Sequence, residues 1–153
     1  MSQRRIAVWV LAVVLLSAAA GAAWLAARVQ PASPPASAAL EIRWHGNGIV
    51  LQGAVRDAAT QQALVQGAIA RLGGESNQVV DWLDITPTAL PVADPAALAS
   101  LIRLGEEGWH LQRRAAEGAL AMPASAQPQG ARAAELLQRA FGPGLPVRLI
   151  ALP

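Results

Sequence analysis

The pattern of hydrophobic and polar positions divides the chain into three parts. Residues Ile6 to Ala27 form an apolar stretch of 22 residues with no polar face. As a helix it would be about 33 Å long, enough to cross a hydrocarbon layer of about 30 Å. Val29 to Ala38 follows, rich in Pro, Ala and Ser, and predicts an extended linker. From Leu40 onward, short alternating segments and amphipathic stretches predict an α+β fold.

The first of these segments predict a β-hairpin. Leu40 to Trp44 and Ile49 to Val55 both alternate apolar and polar residues, and His45 to Gly48 separates them. The Asn47-Gly48 pair is typical of tight hairpin turns. Gly53, inside the second strand, indicates a bulge or a close backbone approach, and we expect a helix to cross there; an approaching ligand is the alternative.

A helix and a third strand follow the hairpin. Asp57 is a suitable N-cap for a helix that runs to Leu72, and Gly73-Gly74 ends it. Gln78 to Ile85 then predicts a strand. The order is therefore ββαβ.

The C-terminal part repeats this order after one additional helix. Asp94-Pro95 begins that helix and Gly105 ends it. The later elements are two strands, a helix and a strand: Trp109 to Gln112, Gly118 to Met122, about Gln129 to Phe141, and Val147 to Leu152. A shift of seventy residues brings Gly48 to Gly53 onto Gly118 to Pro123, and this agreement in pattern predicts an internal repeat. Since modules of this size are marginal alone, we expect them to pack together or against a partner.

The apolar N-terminus predicts a compartment. Arg4 and Arg5 precede it, so the positive-inside rule leaves the N-terminus in the cytoplasm and sends the remainder across the membrane. Ala18 to Ala20 also fits a signal-peptidase site, so the segment is either an uncleaved anchor or a cleaved signal peptide. Both interpretations place the bulk of the chain outside the cytoplasm. Abundant Ala and Arg without Lys indicate a GC-rich bacterial genome. In a bacterium, a retained anchor would make the chain a single-pass inner-membrane protein whose bulk lies in the periplasm.

Composition excludes several classes of function. The net charge is +2, but three arginines flank the apolar segment, and beyond it nine Arg stand against ten Asp and Glu. No basic face is evident, so we do not expect nucleic-acid binding. The absence of Cys excludes disulfides and thiolate metal sites.

The candidate catalytic and metal-binding residues are few. His45 and His110 are too few to predict a metal site. Asp81 and Asp84, three residues apart on a strand, would point to opposite faces and could not act as an acid/base pair. No nucleophile elbow or phosphate-binding glycine loop is present. We therefore predict no enzymatic activity, no cofactor, no catalytic residues and no metal ligands.

Three tryptophans remain as candidate interaction residues. Trp44, Trp82 and Trp109 lie near predicted strand ends. Core packing is the favoured interpretation, but exposed aromatic rings also anchor interfaces and membrane surfaces. A small sheet also leaves unpaired edges, which would allow pairing with a partner or with another copy.

The segment from Gly48 to Asp57, the helix after it, Gly73-Gly74 and the strand around Val79 to Leu83 resemble the BON domain of bacterial envelope proteins. In that family an apolar strand ends in Leu-x-Gly-x-Val and an Ala-rich helix follows; Gly53 and Val55 match. The resemblance covers about Leu40 to Ile85 and extends weakly over Pro95 to Leu152, where Met122-Pro123 departs from the pattern. The chain resembles the anchor and tandem BON-like region of OmpA-type proteins, without their peptidoglycan-binding domain.

These expectations combine into an architecture of four parts. They are a signal anchor or transmembrane helix (1–28), a Pro/Ala-rich linker (29–39), a BON-like unit of ββαβ order (40–88) and a degenerate second unit of αββαβ order (94–153). The expected function is that of a non-enzymatic, membrane-anchored envelope protein whose outer module binds phospholipid surfaces or other envelope proteins. The alternative is a structural subunit or assembly factor of a membrane complex that docks through its transmembrane helix.

Overall fold

The computed structural model describes residues 39–153. The predicted membrane segment, and the predicted linker except for Ala39, lie outside the described residues. Within residues 39–153, no helix combines the length and the apolar character needed to cross a membrane.

The described residues form an α+β fold with one six-stranded mixed sheet and three helices. The strands are β1 (Leu40–His45), β2 (Gly48–Val55), β3 (Val79–Ile85), β4 (His110–Arg113), β5 (Gly118–Pro123) and β6 (Val147–Leu152). The helices are α1 (Ala58–Arg71), α2 (Pro95–Leu104) and α3 (Gly130–Phe141), with short 3-10 turns at Ser76–Gln78 and Ala124–Gln129. The predicted order of elements, ββαβ and then αββαβ, is the order in the structure.

The two predicted Asp caps, Asp57 and Asp94, are both present. Asp57 accepts a hydrogen bond from the Thr60 backbone N–H at 2.7 Å, and Asp94 accepts one from the Ala97 N–H at 3.0 Å. These backbone hydrogen bonds hold the pKa of both carboxyl groups below their ordinary value, because they stabilise the ionised form. The caps therefore fix where α1 and α2 begin.

The first hairpin differs from the prediction in its turn. His45 pairs with Gly48, so the two-residue loop is Gly46-Asn47 and Gly48 already belongs to β2. Gly48 does not have the positive φ that the Asn47-Gly48 assignment required. The strands and their pairing agree with the sequence pattern, but the turn lies one residue earlier.

The two halves share a single sheet. Its strand order is β3-β2-β1-β4-β5-β6, with β1 and β4 antiparallel at the centre. Each half adds an antiparallel strand and then a parallel outer strand, which gives the sheet approximate twofold symmetry about the β1–β4 junction. Neither half therefore leaves its inner strand unpaired.

The pairing registers define the offset between the halves. Ile42 pairs with Leu51 in the first hairpin, and Leu111 pairs with Leu120 in the second. The residue numbers of the equivalent positions therefore differ by 69, both between Ile42 and Leu111 (111 − 42) and between Leu51 and Leu120 (120 − 51). A shift of seventy would superpose core-facing residues on outward-facing ones, because neighbouring residues of a strand point to opposite faces. The structure therefore relates the two hairpins by 69 residues.

The core lies between one face of the sheet and the helices. Leu40, Ile42 and Trp44 of β1 are buried on this face, as are their counterparts from the other central strands. Helix α2 lies between α1 and α3 and contacts both. The strand residues of the continuous core are Leu40, Ile42, Trp44, Ile49, Leu51, Val55, Leu83, Leu111, Leu120 and Met122.

Gly53 has the close backbone approach that its position in the strand predicts. Its φ is +114°, and a Cβ there would overlap the carbonyl oxygen of Ala39. The expected helix crossing is wrong, because the nearest atoms belong to the backbone of Ala39 and Leu40. Glycine is required here because the backbone of Ala39 and Leu40, at the start of the neighbouring strand β1, occupies the space of a side chain.

Candidate functional site

The second face of the sheet carries no helix in the part of the chain that the structure describes. We call this surface the open face. Ala54 on this face is buried, whereas the other residues that we assign to it, whose side chains point away from the helices, are exposed or half-buried. They are Glu41, Arg43, His45, Val50, Gln52, Val80, Trp82, Asp84, His110, Gln112, Ala119, Ala121, Arg148 and Ile150. An exposed sheet face of this kind is a candidate interaction surface.

Trp82 is the largest apolar group on the open face. It is 64% exposed, the highest value among the exposed large hydrophobic residues of the described chain. It lies in β3 opposite Gln52 of β2, which is also exposed. Two residues further along the same face is the exposed carboxylate Asp84. An exposed indole in a fixed strand offers a large contact area whose ordering on binding costs little side-chain entropy.

Trp44 and Trp109 lie elsewhere. They are 3% and 1% exposed, on the helix side of β1 and just before β4, and their rings contact edge to face at a centroid distance of 6.1 Å. The Trp44 indole N–H donates to the Ile102 carbonyl at 3.0 Å. Gly105, which ends α2, makes room for this ring, since a Cβ there would overlap it. Of the three candidate tryptophans, only Trp82 presents its ring to solvent.

A charged cluster occupies the centre of the open face. Glu41 Oε1 accepts hydrogen bonds from Arg43 Nε at 2.6 Å and contacts His110 Nε2 at 2.5 Å. Desolvation of the carboxyl group opposes ionisation, but the hydrogen bonds from Arg43 and His110 outweigh it and hold the pKa of Glu41 below its ordinary value. His110 lies across the β1–β4 junction from Glu41, so this cluster joins the two halves. The sequence pattern did not single out Glu41 or Arg43, although their i, i+2 spacing on a strand could have placed them on one face.

The remaining candidate residues do not assemble into a catalytic or metal site. His45 lies at the end of the first hairpin, separate from the cluster that contains His110. Asp81 and Asp84 point to opposite faces of β3, as their spacing predicts. Among the described residues no group of three or more His, Asp or Glu side chains could hold a metal ion. The absence of enzymatic activity stays a prediction.

Arg113 is an unusual buried cation. It is 5% exposed on the helix side of β4, and its guanidinium carbon lies 5.3 Å from the centre of the Phe141 ring. Its Nε and Nη1 atoms are buried, and no residue between 39 and 153 forms a hydrogen bond with them. Desolvation lowers the pKa of this guanidinium. Arg113 and Arg114 are the two adjacent arginines of the described chain, and because Arg113 is buried they do not form an exposed anion-binding patch.

A cavity of about 320 Å³ lies at the tip of the first hairpin. It is lined by Trp44, His45, Gly46, Ile49, Arg71, Leu72, Glu106 and Glu107. Arg71 Nε donates to the Gly105 carbonyl at 2.7 Å, and Glu106 accepts from Gln129 Nε2 at 2.8 Å. Two of the charged groups that line the cavity are thus bonded within the protein. We therefore regard the open face as the stronger candidate site.

Comparison with known proteins found no protein family whose model matches this chain and no curated protein similar to it in sequence. The resemblance to the BON family stays a prediction from the residues of the first unit.

Proposed function

We propose that this protein is a non-enzymatic, membrane-anchored envelope protein whose α/β module binds another envelope protein through the open face. In this proposal, residues 1–28 form the anchor and the two halves of the sheet correspond to two BON-like units. The observation that carries the proposal is the exposure of Trp82 on a sheet face that no described helix covers.

The charges of the open face favour a protein partner over an anionic phospholipid surface. Arg43 and Arg148 are balanced by Glu41 and Asp84, and the residue of this set nearest Trp82 is Asp84. Binding to anionic membranes generally requires clustered Lys or Arg. A tryptophan beside a carboxylate, surrounded by residues of both signs, is more typical of a protein interface with an aromatic anchor and a polar rim.

Site-specific photo-crosslinking in native membranes tests this proposal. A photoreactive residue at position 52, beside Trp82, is expected to give discrete protein adducts in the full-length chain. The same residue at position 85 is the control, because Ile85 is 51% exposed on the strand that carries Trp82 but on the opposite face of the sheet. Trp82→Ala is expected to reduce the adducts at position 52 at least about tenfold, as expected for loss of an anchor residue. Ile85→Ala should leave them unchanged.

Crosslinking in phospholipid vesicles distinguishes a lipid partner from a protein partner. If the full-length protein in vesicles of anionic phospholipid alone gives lipid adducts from position 52, and Trp82→Ala removes them, the partner is a lipid surface. Equal adduct yields from positions 52 and 85, with no effect of Trp82→Ala, would overturn the open face as the binding surface.

A further inference from the structure

Strand β6 ends the sheet on one side, and no described strand pairs with its outer edge. The direction of its backbone groups follows from one hydrogen bond: the Pro146 carbonyl accepts from the Gly118 N–H of β5 at 2.9 Å. In a parallel ladder alternate residues face the neighbouring strand, so residues 148, 150 and 152 face β5. Val147, Leu149 and Ala151 therefore direct both N–H and C=O outward.

The opposite edge of the sheet, on β3, is protected. The Thr86 N–H donates to the Val55 carbonyl, so the odd-numbered residues of β3 face outward. At Leu83 both outward groups are occupied by side chains: its N–H donates to Asp81 Oδ1 at 3.1 Å, and its carbonyl accepts from Gln61 Nε2 at 3.4 Å. Gln61 also donates to Asp81 Oδ2 at 2.9 Å. An incoming strand would have to displace both side chains.

Strand β6 lacks such protection. No side chain of the described residues hydrogen-bonds to the outward groups of Val147, Leu149 or Ala151. Leu149 and Ile150 are 39% and 36% exposed, on opposite faces of the strand, and Arg148 is the only charged residue in it. Natural proteins usually blunt a free edge with charges, Pro or a bulge. Pro146 and Pro153 lie at the two ends of β6, and between them Arg148 is the only charged residue, so the outward backbone groups of the strand interior are free to pair within the described part of the chain.

We propose that β6 pairs antiparallel with β6 of a second copy of this chain, with Leu149 on the twofold axis. In this register Leu149 lies opposite Leu149 of the second copy, and Val147 lies opposite Ala151. This is the symmetric register in which all three outward-facing residues exchange hydrogen bonds. It also buries the exposed parts of Leu149 and Ile150 in both copies.

The charge of β6 selects among the symmetric registers. With Leu149 on the axis, Arg148 lies opposite Ile150, and its guanidinium remains 3.7 Å from Glu117 of its own chain. A shift that places Arg148 on the axis would set two arginines directly opposite each other, which is destabilising. A shift that places Ile150 on the axis leaves Val147 opposite Pro153, which has no N–H to donate.

The contrast between the two edges determines the kind of assembly. Residues 39–153 have one protected and one open sheet edge, so pairing through β6 uses the open edge of both copies. The product is a closed twofold dimer with a continuous twelve-stranded sheet (6 + 6).

Disulfide trapping tests the register, because the chain contains no Cys. Residues opposite each other in a hydrogen-bonded antiparallel pair have Cα atoms about 5.5 Å apart, within the range for a disulfide. Leu149→Cys in the full-length protein is therefore expected to form a covalent dimer on mild oxidation. Val147→Cys or Ala151→Cys alone should not, because identical positions would be about 13 Å apart. A mixture of these two variants should give the crosslinked pair.

Leu149→Pro tests the edge itself. The N–H of Leu149 faces outward, so proline there removes a hydrogen bond of the dimer but none between β5 and β6. The full-length protein in detergent is expected to have the mass of a dimer, and Leu149→Pro that of a monomer, by light scattering. Unchanged far-UV circular dichroism would show that the variant is folded, and Leu149→Lys is a second variant that disrupts pairing by charge.

Three results would overturn the proposal. One is crosslinking of Leu149→Cys no greater than that of Asp84→Cys, an exposed position on the protected strand. Another is a monomeric wild-type protein. The third is a dimer that persists unchanged in folded Leu149→Pro and Leu149→Lys, which would assign dimerisation to residues 1–38 or another surface. None of these results depends on Trp82, so the proposed function is tested separately.

Discussion

Gly53 owes its identity to a neighbouring segment of chain. At this residue of β2, the backbone adopts a positive φ and the carbonyl of Ala39 occupies the space of a side chain. Glu41, one strand away, is likewise held by groups from outside its own position, since Arg43 and His110 stabilise its ionised form. At both sites, the effect of the residue on the stability of the fold depends on groups from other parts of the chain, and substitution of each residue can measure that effect.

Gly53→Ala should destabilise the protein through two effects. A non-glycine residue at positive φ costs about 1–2 kcal/mol, and the overlap with Ala39 adds about 1–3 kcal/mol for forced displacement. The free energy of unfolding, measured in urea, should therefore fall by about 2–5 kcal/mol. Gly74→Ala is the control, since Gly74 has φ of +99° with open space around it and should show the backbone cost alone. Equal losses in the two variants would contradict the close approach.

The Glu41 cluster predicts a dependence of stability on pH. Because the pKa of Glu41 is lower in the folded than in the unfolded chain, its contribution is fully present above its ordinary value of 4.5. That contribution is lost as the pH falls through the lower folded pKa. Thermal unfolding between about pH 6 and pH 3 should show a smaller decline in Tm for Glu41→Gln than for the wild type. Identical declines would show that Arg43 and His110 do not stabilise the carboxylate.

At the scale of elements, sequence pattern predicted the local structure well and the joining of the halves poorly. The predicted β6 has the same bounds as the observed strand, and Asp57 and Asp94 cap the helices as expected. These features depend on neighbours in sequence, which periodicity and capping rules describe. The pairing of β1 with β4, about seventy residues away, depends on which edges meet in space, and alternation alone does not encode this.

The candidate site was predictable only in part for the same reason. Alternation indicates that Trp44 and Trp82 lie on strands, but not which face the helices cover. Trp82 is exposed because its strand places it on the open face, whereas Trp44 points into the core. The cluster of Glu41 and His110 depends on the β1–β4 pairing and could not be assembled without it.

The protected edge of β3 predicts the result of removing its protection. In Asp81→Ala/Gln61→Ala, the outward N–H and C=O of Leu83 lose both side-chain partners. If β6 pairs as proposed, each molecule then has two open edges, and growth from both gives open-ended assemblies. Sedimentation velocity should detect species larger than a dimer. Asp84→Ala is the matched control, because the backbone N–H and C=O of Asp84 face β2. A double variant that keeps the wild-type mass would contradict the role of Asp81 and Gln61 in protecting this edge.

At the scale of the whole molecule, residues 39–153 have one core that spans both halves of the sheet. Strand β1 contributes to the first hairpin and to the junction with the second, so Ile42 contacts Leu51 and Leu111 by pairing with both strands. Helix α2 adds a second connection, since it packs against α1 and α3. Each half therefore stabilises the other.

This shared core predicts cooperative unfolding. Ile42→Ala removes a fully buried side chain next to the junction and should cost about 2–4 kcal/mol. Hydrogen exchange should show that the amides of β2 and β5, one in each half, lose protection at the same denaturant concentration. Val50→Ala, at a half-buried position on the open face, should cost less than about 1 kcal/mol and serves as the control. Separate transitions for the two halves would contradict a single cooperative unit.

The separation of the three described tryptophans has an optical consequence. Trp44 and Trp109 are enclosed and in contact, whereas the ring of Trp82 is surrounded mostly by water. A soluble quencher should therefore reach Trp82 and leave the buried pair untouched until the fold opens. With Trp9 and Trp24 replaced by Phe, the full-length chain would give two separate fluorescence signals. Protection of Trp82 from the quencher would report binding at the open face, and quenching of Trp44 and Trp109 would report unfolding of the core.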